Sequence, residues 1–301
     1  RCKRRRAEER RIMLFLSFDT SGRELTVALF EGGSLDAASP LPQGELLASE
    51  RIDFAELAVD DPRLPLSGNM VGAKKANRQE SVSLLIPTIE RLLSEKQLSK
   101  FDIGAIAVGI GPGGFTGIRV AITTARTLAQ ALNLPLIGLN SLEVACFDLL
   151  EQSQLFSTTE KVLPPSFGVI KAASRSHCYL AVYRPEPIFA YYDLVAVQEP
   201  VYLTYESLSE KLPLCPLWHV DPAVMAKLLA LPSEVEPVWR AQLSPVVNNI
   251  ASLQAKMAWL RVSLKGLSPS AFHYRLTEPL YLRGASVTLK NGDAIEKVES
   301  S

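Results

Sequence analysis

The stretch Gly109-Ile110-Gly111-Pro112-Gly113-Gly114-Phe115-Thr116-Gly117-Ile118-Arg119 constrains this chain more than any other. Five glycines and a proline separate an apolar run over 103–108, which reads as a buried strand, from an amphipathic helix pattern over 118–132. A strand that passes into a helix through glycines either turns tightly or brings its backbone close to something else. Backbone N–H groups at such a turn, backed by a helix N-terminus, attract anions or dock another backbone. A cradle for a ligand or partner and a purely packed turn are both compatible with the residues.

The flanking pattern is α/β. Strands are predicted over 12–18, 25–30 and 45–52, with Asp19-Thr20-Ser21-Gly22 as the first turn. A helix follows over 81–93. Val82, Leu85, Ile86, Ile89, Leu92 and Leu93 form its apolar stripe, Leu84 lies off it, and Pro87 predicts a kink. In the second helix Ile118, Ala121, Ile122, Ala125, Leu128, Ala129 and Leu132 share a face, leaving Thr123, Thr124 and Thr127 on another. A short strand over 136–139 and a helix from Ser141, read as its cap, to about 150 complete this half. Beyond it, strands are predicted over 167–170, 178–183, 188–197 and 217–220 and near Val238. The stretch 183–187 reads as a tight connection, and helices near 206–212, 223–230 and 246–264 complete the pattern.

This recurrence, in 301 residues, implies two related lobes. The expected division is a disordered basic leader over 1–12, a first lobe over 13–150, a linker over 151–165, and a smaller second lobe with a disordered tail over 166–301. The leader is either an RNA-contacting arm or a solvated extension upstream of a true start at Met13. The long segment 53–77 reads as a loop. The net charge of zero argues against nucleic-acid binding through a broad basic face. Four scattered cysteines without a CxxC pair read as reduced thiols of a cytoplasmic protein. No apolar run is long enough to span a membrane.

Chemistry is harder to find. Gly109, Gly111 and Gly114 fit the spacing of a dinucleotide fingerprint, but the next strand ends in Asn140-Ser141 without the ribose-binding acid. Pro112 also removes a donor, and no Lys-Ser/Thr pair makes a P-loop. Thr116 is positioned to cap the following helix and Arg119 to reach an anion. Asp19 and Thr20, after the first strand, suit either a metal and phosphate site or a plain Asx turn. The three histidines, His177, His219 and His273, show no ligand spacing, and His219 beside Trp218 reads as structural. No catalytic or metal set emerges.

Several pieces together resemble the TsaB (YeaZ) family of the Gcp-like superfamily. They are Leu16-Ser17-Phe18-Asp19-Thr20-Ser21, the Leu85-Ile86-Pro87 helix, the 109–119 loop with its Phe-Thr-Gly-Ile-Arg end, Pro135-Leu136-Ile137-Gly138 with Ser141-Leu142-Glu143, and Pro279-Leu280-Tyr281-Leu282-Arg283. The resemblance is strong over about 13–145 and thin beyond. It implies a two-lobed actin-like (ASKHA) fold. It also implies a non-catalytic subunit in the making of N6-threonylcarbamoyladenosine (t6A), the modified base beside the anticodon of tRNA. The implied partners are the catalytic paralogue TsaD, which carries HxxxH metal ligands, and the ATPase TsaE. The chain is expected to touch tRNA only indirectly, to bind no cofactor alone, and to meet ATP or ADP at most at the partner interface. This sequence departs from the family pattern at Ser81 and at Ala172-Ala173-Ser174.

The resemblance places the TsaD interface on the two first-lobe helices, with Leu84, Thr123, Thr124 and Thr127 as the expected outward residues. Asp19, Thr20, Gly111, Gly113, Gly114, Thr116, Gly117 and Arg119 are the candidate anion, nucleotide or partner loop. Two rival readings stay open: a stand-alone nucleotide-binding enzyme using the 109–117 loop, and a homodimer formed through the same helix face.

Overall fold

The computed structural model describes residues 13–22, 24–33, 44–54, 80–152, 165–188, 191–211, 218–221, 224, 250–265 and 271–282. The expected leader, the loop over 55–77, nearly all of the linker, the strand near Val238, most of the 223–230 helix and the tail beyond 282 lie outside these residues.

Strands β1 (Met13–Asp19), β2 (Glu24–Gly32), β3 (Gly44–Asp53), β4 (Ile103–Gly111) and β5 (Leu136–Asn140) form one sheet in the order β3-β2-β1-β4-β5. The first three pair antiparallel, whereas β4 and β5 run parallel to β1. The central β1 is covered on both faces, which is why it reads as an unbroken apolar run rather than an alternation. Leu14, Leu16 and Phe18 face helices α1 (Glu80–Glu95) and α2 (Phe115–Leu132) in one core cluster. Phe15 points into a second core with α3 (Ser141–Gln152). Each fully buried Leu or Phe side chain contributes about 1.5–3 kcal/mol of transfer free energy.

A second sheet repeats the plan. β6 (Phe167–Ala172), β7 (His177–Ile188), β8 (Tyr191–Thr204) and β9 (Trp218–Val220) lie in the order β8-β7-β6-β9, with an antiparallel meander and a parallel β6–β9 pair. The short helix α4 (Leu208–Lys211) stands where a longer one is predicted over 206–212. Helix α5 (Ile250–Lys265) packs against β1, β2 and β4 of the first sheet and against α3. Sequence order assigns α5 to the second lobe, but α3 and α5 together fill the core between the two sheets.

Two expectations are corrected. In α1 the buried stripe is Leu84, Leu85, Thr88, Ile89, Leu92 and Leu93. Leu84 therefore faces the core, and Ile86, at 38% exposure, faces out in its place. Residues 183–187 are part of β7 rather than a connection. β6 stops pairing at Phe167↔Tyr183 while the pairing with β8 runs on to Ile188↔Tyr191, so among the described residues the stretch with Pro185 and Pro187 is paired on one side, a position where a strand tolerates proline.

Candidate functional site

The glycine loop closes on the first turn of the same chain. Gly114 N–H donates to the Ser21 carbonyl at 2.7 Å, and the Thr20 hydroxyl donates to the Gly117 carbonyl at 2.7 Å. A Cβ on Gly117 would collide with the Thr20 carbonyl, and one on Gly113 with the Ser21 carbonyl. These glycines exist because two backbones touch. Gly111 takes φ +98° ahead of a cis bond to Pro112. Of the two sequence readings of the loop, the geometry supports docking of another backbone.

Asp19 sits beneath. It lies at the end of β1, on the face toward α5, and is 2% exposed. One carboxylate oxygen accepts Ser21 N–H at 2.6 Å, which is the Asx turn. The other accepts the Gln254 amide at 2.9 Å, and the Gln254 carbonyl accepts the Ser17 hydroxyl at 3.3 Å. Both oxygens are thus bonded within the chain. Among the described residues, no group of three or more His, Cys, Asp or Glu is arranged to hold a metal ion. Thr116 does not cap α2: its N-cap is Gly114, and Thr116 is exposed at the second helical position. At α3 the capping acceptor is Asn140, whose side chain takes Leu142 N–H at 2.9 Å, while Ser141 Oγ donates to the Pro112 carbonyl at 3.1 Å.

Arg119 packs on the aromatic rings of Phe115 and Tyr281. Its guanidinium lies 3.9 Å from the Phe115 ring centroid, and its Nε donates to Tyr281 Oη at 3.0 Å. Tyr281 in turn packs on Phe115 with centroids 4.8 Å apart. Gln254, Ser17 and Tyr281 complete the constellation and were not singled out from the residues. Gln254 carries one weak signal, a polar side chain at 0% exposure within an apolar helix. Tyr281 carries a better one, since its Pro-Leu-Tyr-Leu context stands out in the sequence.

The outward face of α2 holds Thr123 and Thr127, both exposed, with Thr127 Oγ1 donating to the Thr123 carbonyl at 2.9 Å; Thr124 is half-buried. Of the four expected outward residues, only Leu84 is enclosed. The histidines are dispersed: His177 Nδ1 bonds Ser176 Oγ at 2.9 Å and its ring stacks on Tyr202, while His273 Nδ1 accepts Arg275 N–H at 3.2 Å. Burial pushes the His219 imidazole below its ordinary pKa, opposed by Asp221 and reinforced by Lys171. Burial also raises the Tyr183 phenol, with Glu143 and Cys146 adding to the shift. Glu143 on α3 and Arg261 on α5 form a half-buried ion pair.

A family model described as TsaD, tRNA N6-adenosine threonylcarbamoyltransferase, matches residues 74–187. The chain is 39% identical over 64 residues to the tRNA threonylcarbamoyladenosine biosynthesis protein TsaB of Escherichia coli, covering 21% of this chain and 28% of that one. It is 38% identical over 58 residues to the Bacillus subtilis TsaB, covering 19% and 25%. The aligned segments thus span little more than a quarter of these curated relatives. A solved Pseudomonas aeruginosa YeaZ matches with TM-score 0.56 at 20% identity, over 90% of this chain and all of that one. That likeness is one of fold, and the fold is the two-lobed actin-like α/β arrangement expected from the sequence.

Proposed function

We propose that the chain is a member of the TsaB (YeaZ) family and a non-catalytic subunit of the machinery that makes t6A on tRNA, working by docking to and activating a TsaD-type paralogue, a reading supported by the matches to TsaB proteins and to the TsaD family model. The observation that carries this reading is the closure of the glycine loop on Thr20 and Ser21. The residues best suited to chemistry hold the chain's own backbone together. What the first lobe offers outward is a helix surface, Thr123 and Thr127 on α2 with Ile86 on α1. In this reading the paralogue docks there and supplies the metal ligands. A TsaE-type ATPase joins the assembly, ATP or ADP binds at the partner interface if at all, tRNA is contacted indirectly, and the site of action is the cytoplasm.

Mixing the purified chain with a TsaD-type protein should give co-elution on a sizing column and a gain in t6A formation; the absence of both rejects the reading. Introducing Thr123→Arg and Thr127→Arg together should abolish co-elution. Thermal stability should change by no more than about 0.5 kcal/mol per site, as expected for exposed positions. Ala125→Glu is unsuitable as a probe because Ala125 is fully buried and would receive an unpaired charge. Calorimetry of the isolated chain with ATP and ADP addresses the rival: tight binding would favour a stand-alone nucleotide-binding enzyme. A homodimer that dissolves on adding the paralogue fits the docking reading, because one helix face serves both pairings.

A further inference from the structure

We propose that residues 272–282 form a latch, a strap that closes the open edge of the first sheet and the glycine loop, with Tyr281 as the catch, and that opens while the rest of the chain stays folded. β5 is the last strand of its sheet, so its outer edge would present unpaired backbone groups. The strap covers it. Leu136 N–H donates to the Phe272 carbonyl at 2.9 Å, and Thr277 Oγ1 donates to the Leu136 carbonyl at 3.5 Å. Arg126 of α2 donates to the Thr277 carbonyl. Further along, Leu280 N–H donates to the Ile110 carbonyl at 2.8 Å, and the Leu280 carbonyl lies against Gly111.

The strap is fixed unequally. Phe272 is buried in the core between the sheets. At the other end Tyr281 is 39% exposed and is held by a hydrogen bond from Arg119 and a ring contact with Phe115. Between them Leu276 is 63% exposed. Tyr274 and Leu282 pack partly buried against the two cores and Thr277 is buried, whereas Glu278 and Tyr281 are exposed and the Arg119–Tyr281 bond faces solvent. A segment held in part by solvent-facing contacts opens by local rather than global unfolding. Opening frees the β5 edge, the Ile110 carbonyl and the Arg119 side chain together. Arg119 borders the exposed Thr123 side of α2, so the latch also sets the shape of the docking surface; this last step rests on the docking reading above.

Amide hydrogen exchange on the full chain tests the latch without any partner. The reporters are the Leu136 and Leu280 amides, with the Ile106 amide, bonded to the Pro135 carbonyl at 3.0 Å, as the interior reference. Tyr281→Ala should raise exchange at Leu136 and Leu280 by about tenfold or more and leave Ile106 unchanged. Tyr281→Phe keeps the ring on Phe115, loses only the bond from Arg119, and should fall between. Identical exchange in all three proteins, or an Ile106 amide that accelerates in step with the others, overturns the latch. In parallel, Tyr281→Ala should weaken binding to the TsaD-type partner. If the wild-type chain binds no partner, the docking reading fails while the exchange result still decides the latch.

Discussion

The two sheets repeat one plan, an antiparallel meander joined by a parallel strand, and their first turns have opposite fates. In the first sheet, Asp19, Thr20 and Ser21 are almost fully buried, enclosed by the glycine loop above and Gln254 below. In the second, the turn from β6 to β7 is exposed at Arg175 and Ser176. It is held mainly by its own atoms: Ser174 N–H donates to the His177 carbonyl at 3.0 Å, and Ser174 Oγ accepts the N–H groups of Ser176 and His177 at 3.4 and 3.2 Å. Tyr205 reaches in from outside the turn, its N–H donating to the Ser176 carbonyl at 3.1 Å and its hydroxyl to the Ser174 carbonyl at 3.3 Å. The hairpin plan therefore does not decide whether a polar turn is enclosed. The segment after the parallel strand decides it: in the first sheet, a glycine-rich entry to α2 lets two backbones touch.

This contrast breaks most sharply at Gly117. Gly117→Val should cost about 3 kcal/mol or more, since the side chain would meet the Thr20 carbonyl and the loop could not close. Ser174→Val, at the matching turn of the second sheet, should cost about 1 kcal/mol, the contribution of its local hydrogen bonds. Equal losses in paired thermal melts would show that the two turns are held alike. An effect between these two is expected at Gln254→Leu. It removes a donor from the buried Asp19 carboxylate and should destabilise by about 1–3 kcal/mol. Adding Asp19→Leu should deepen the loss, because the buried Ser21 N–H then has no carboxylate to accept it.

The smallest effect belongs to the second sheet and is read by pH. The His219 pKa is depressed below 6.5 in the folded chain, so the unfolded chain binds its proton first as pH falls. The stability contributed by the neutral, buried ring is therefore complete above about pH 6.5 and is lost as pH drops toward the folded value. The loss approaches at most about 1.4 kcal/mol per pH unit for one proton. His219→Gln should flatten that part of a stability–pH profile taken between pH 7 and pH 5; an unchanged slope would mean that another group governs it.

The strands were legible because their burial writes directly into composition: β1 and β4 are apolar on both faces and appear as runs. The loop was legible as a close approach but not as to what approaches, since Thr20 and Gly117 are bonded across 97 positions of chain. Leu84 and Ile86 exchange roles because either one completes an apolar stripe on α1. Only the direction of the sheet beneath separates them, and a single helix pattern does not contain it. Pro185 and Pro187 read as a break because prolines are usually kept out of strands. The end of β6 pairing at Phe167, which tolerates them, is a property of a different segment. Gln254 was invisible for the same reason, because its partner Asp19 is 235 positions away.

Helix α5 has a consequence for biosynthesis. The inner flank of the first sheet, around Phe15 and Phe30, is covered in part by Trp259 and its neighbours, and the Phe30 and Trp259 rings pack at a tilt with centroids 5.9 Å apart. Those neighbours leave the ribosome some 230 residues after the strands they shield. At synthesis rates of about 5–20 residues per second, the nascent half-sheet waits for on the order of ten seconds or more with sticky surface bared. Chaperone dependence during translation, relieved once α5 has emerged, is the expected consequence of that late arrival.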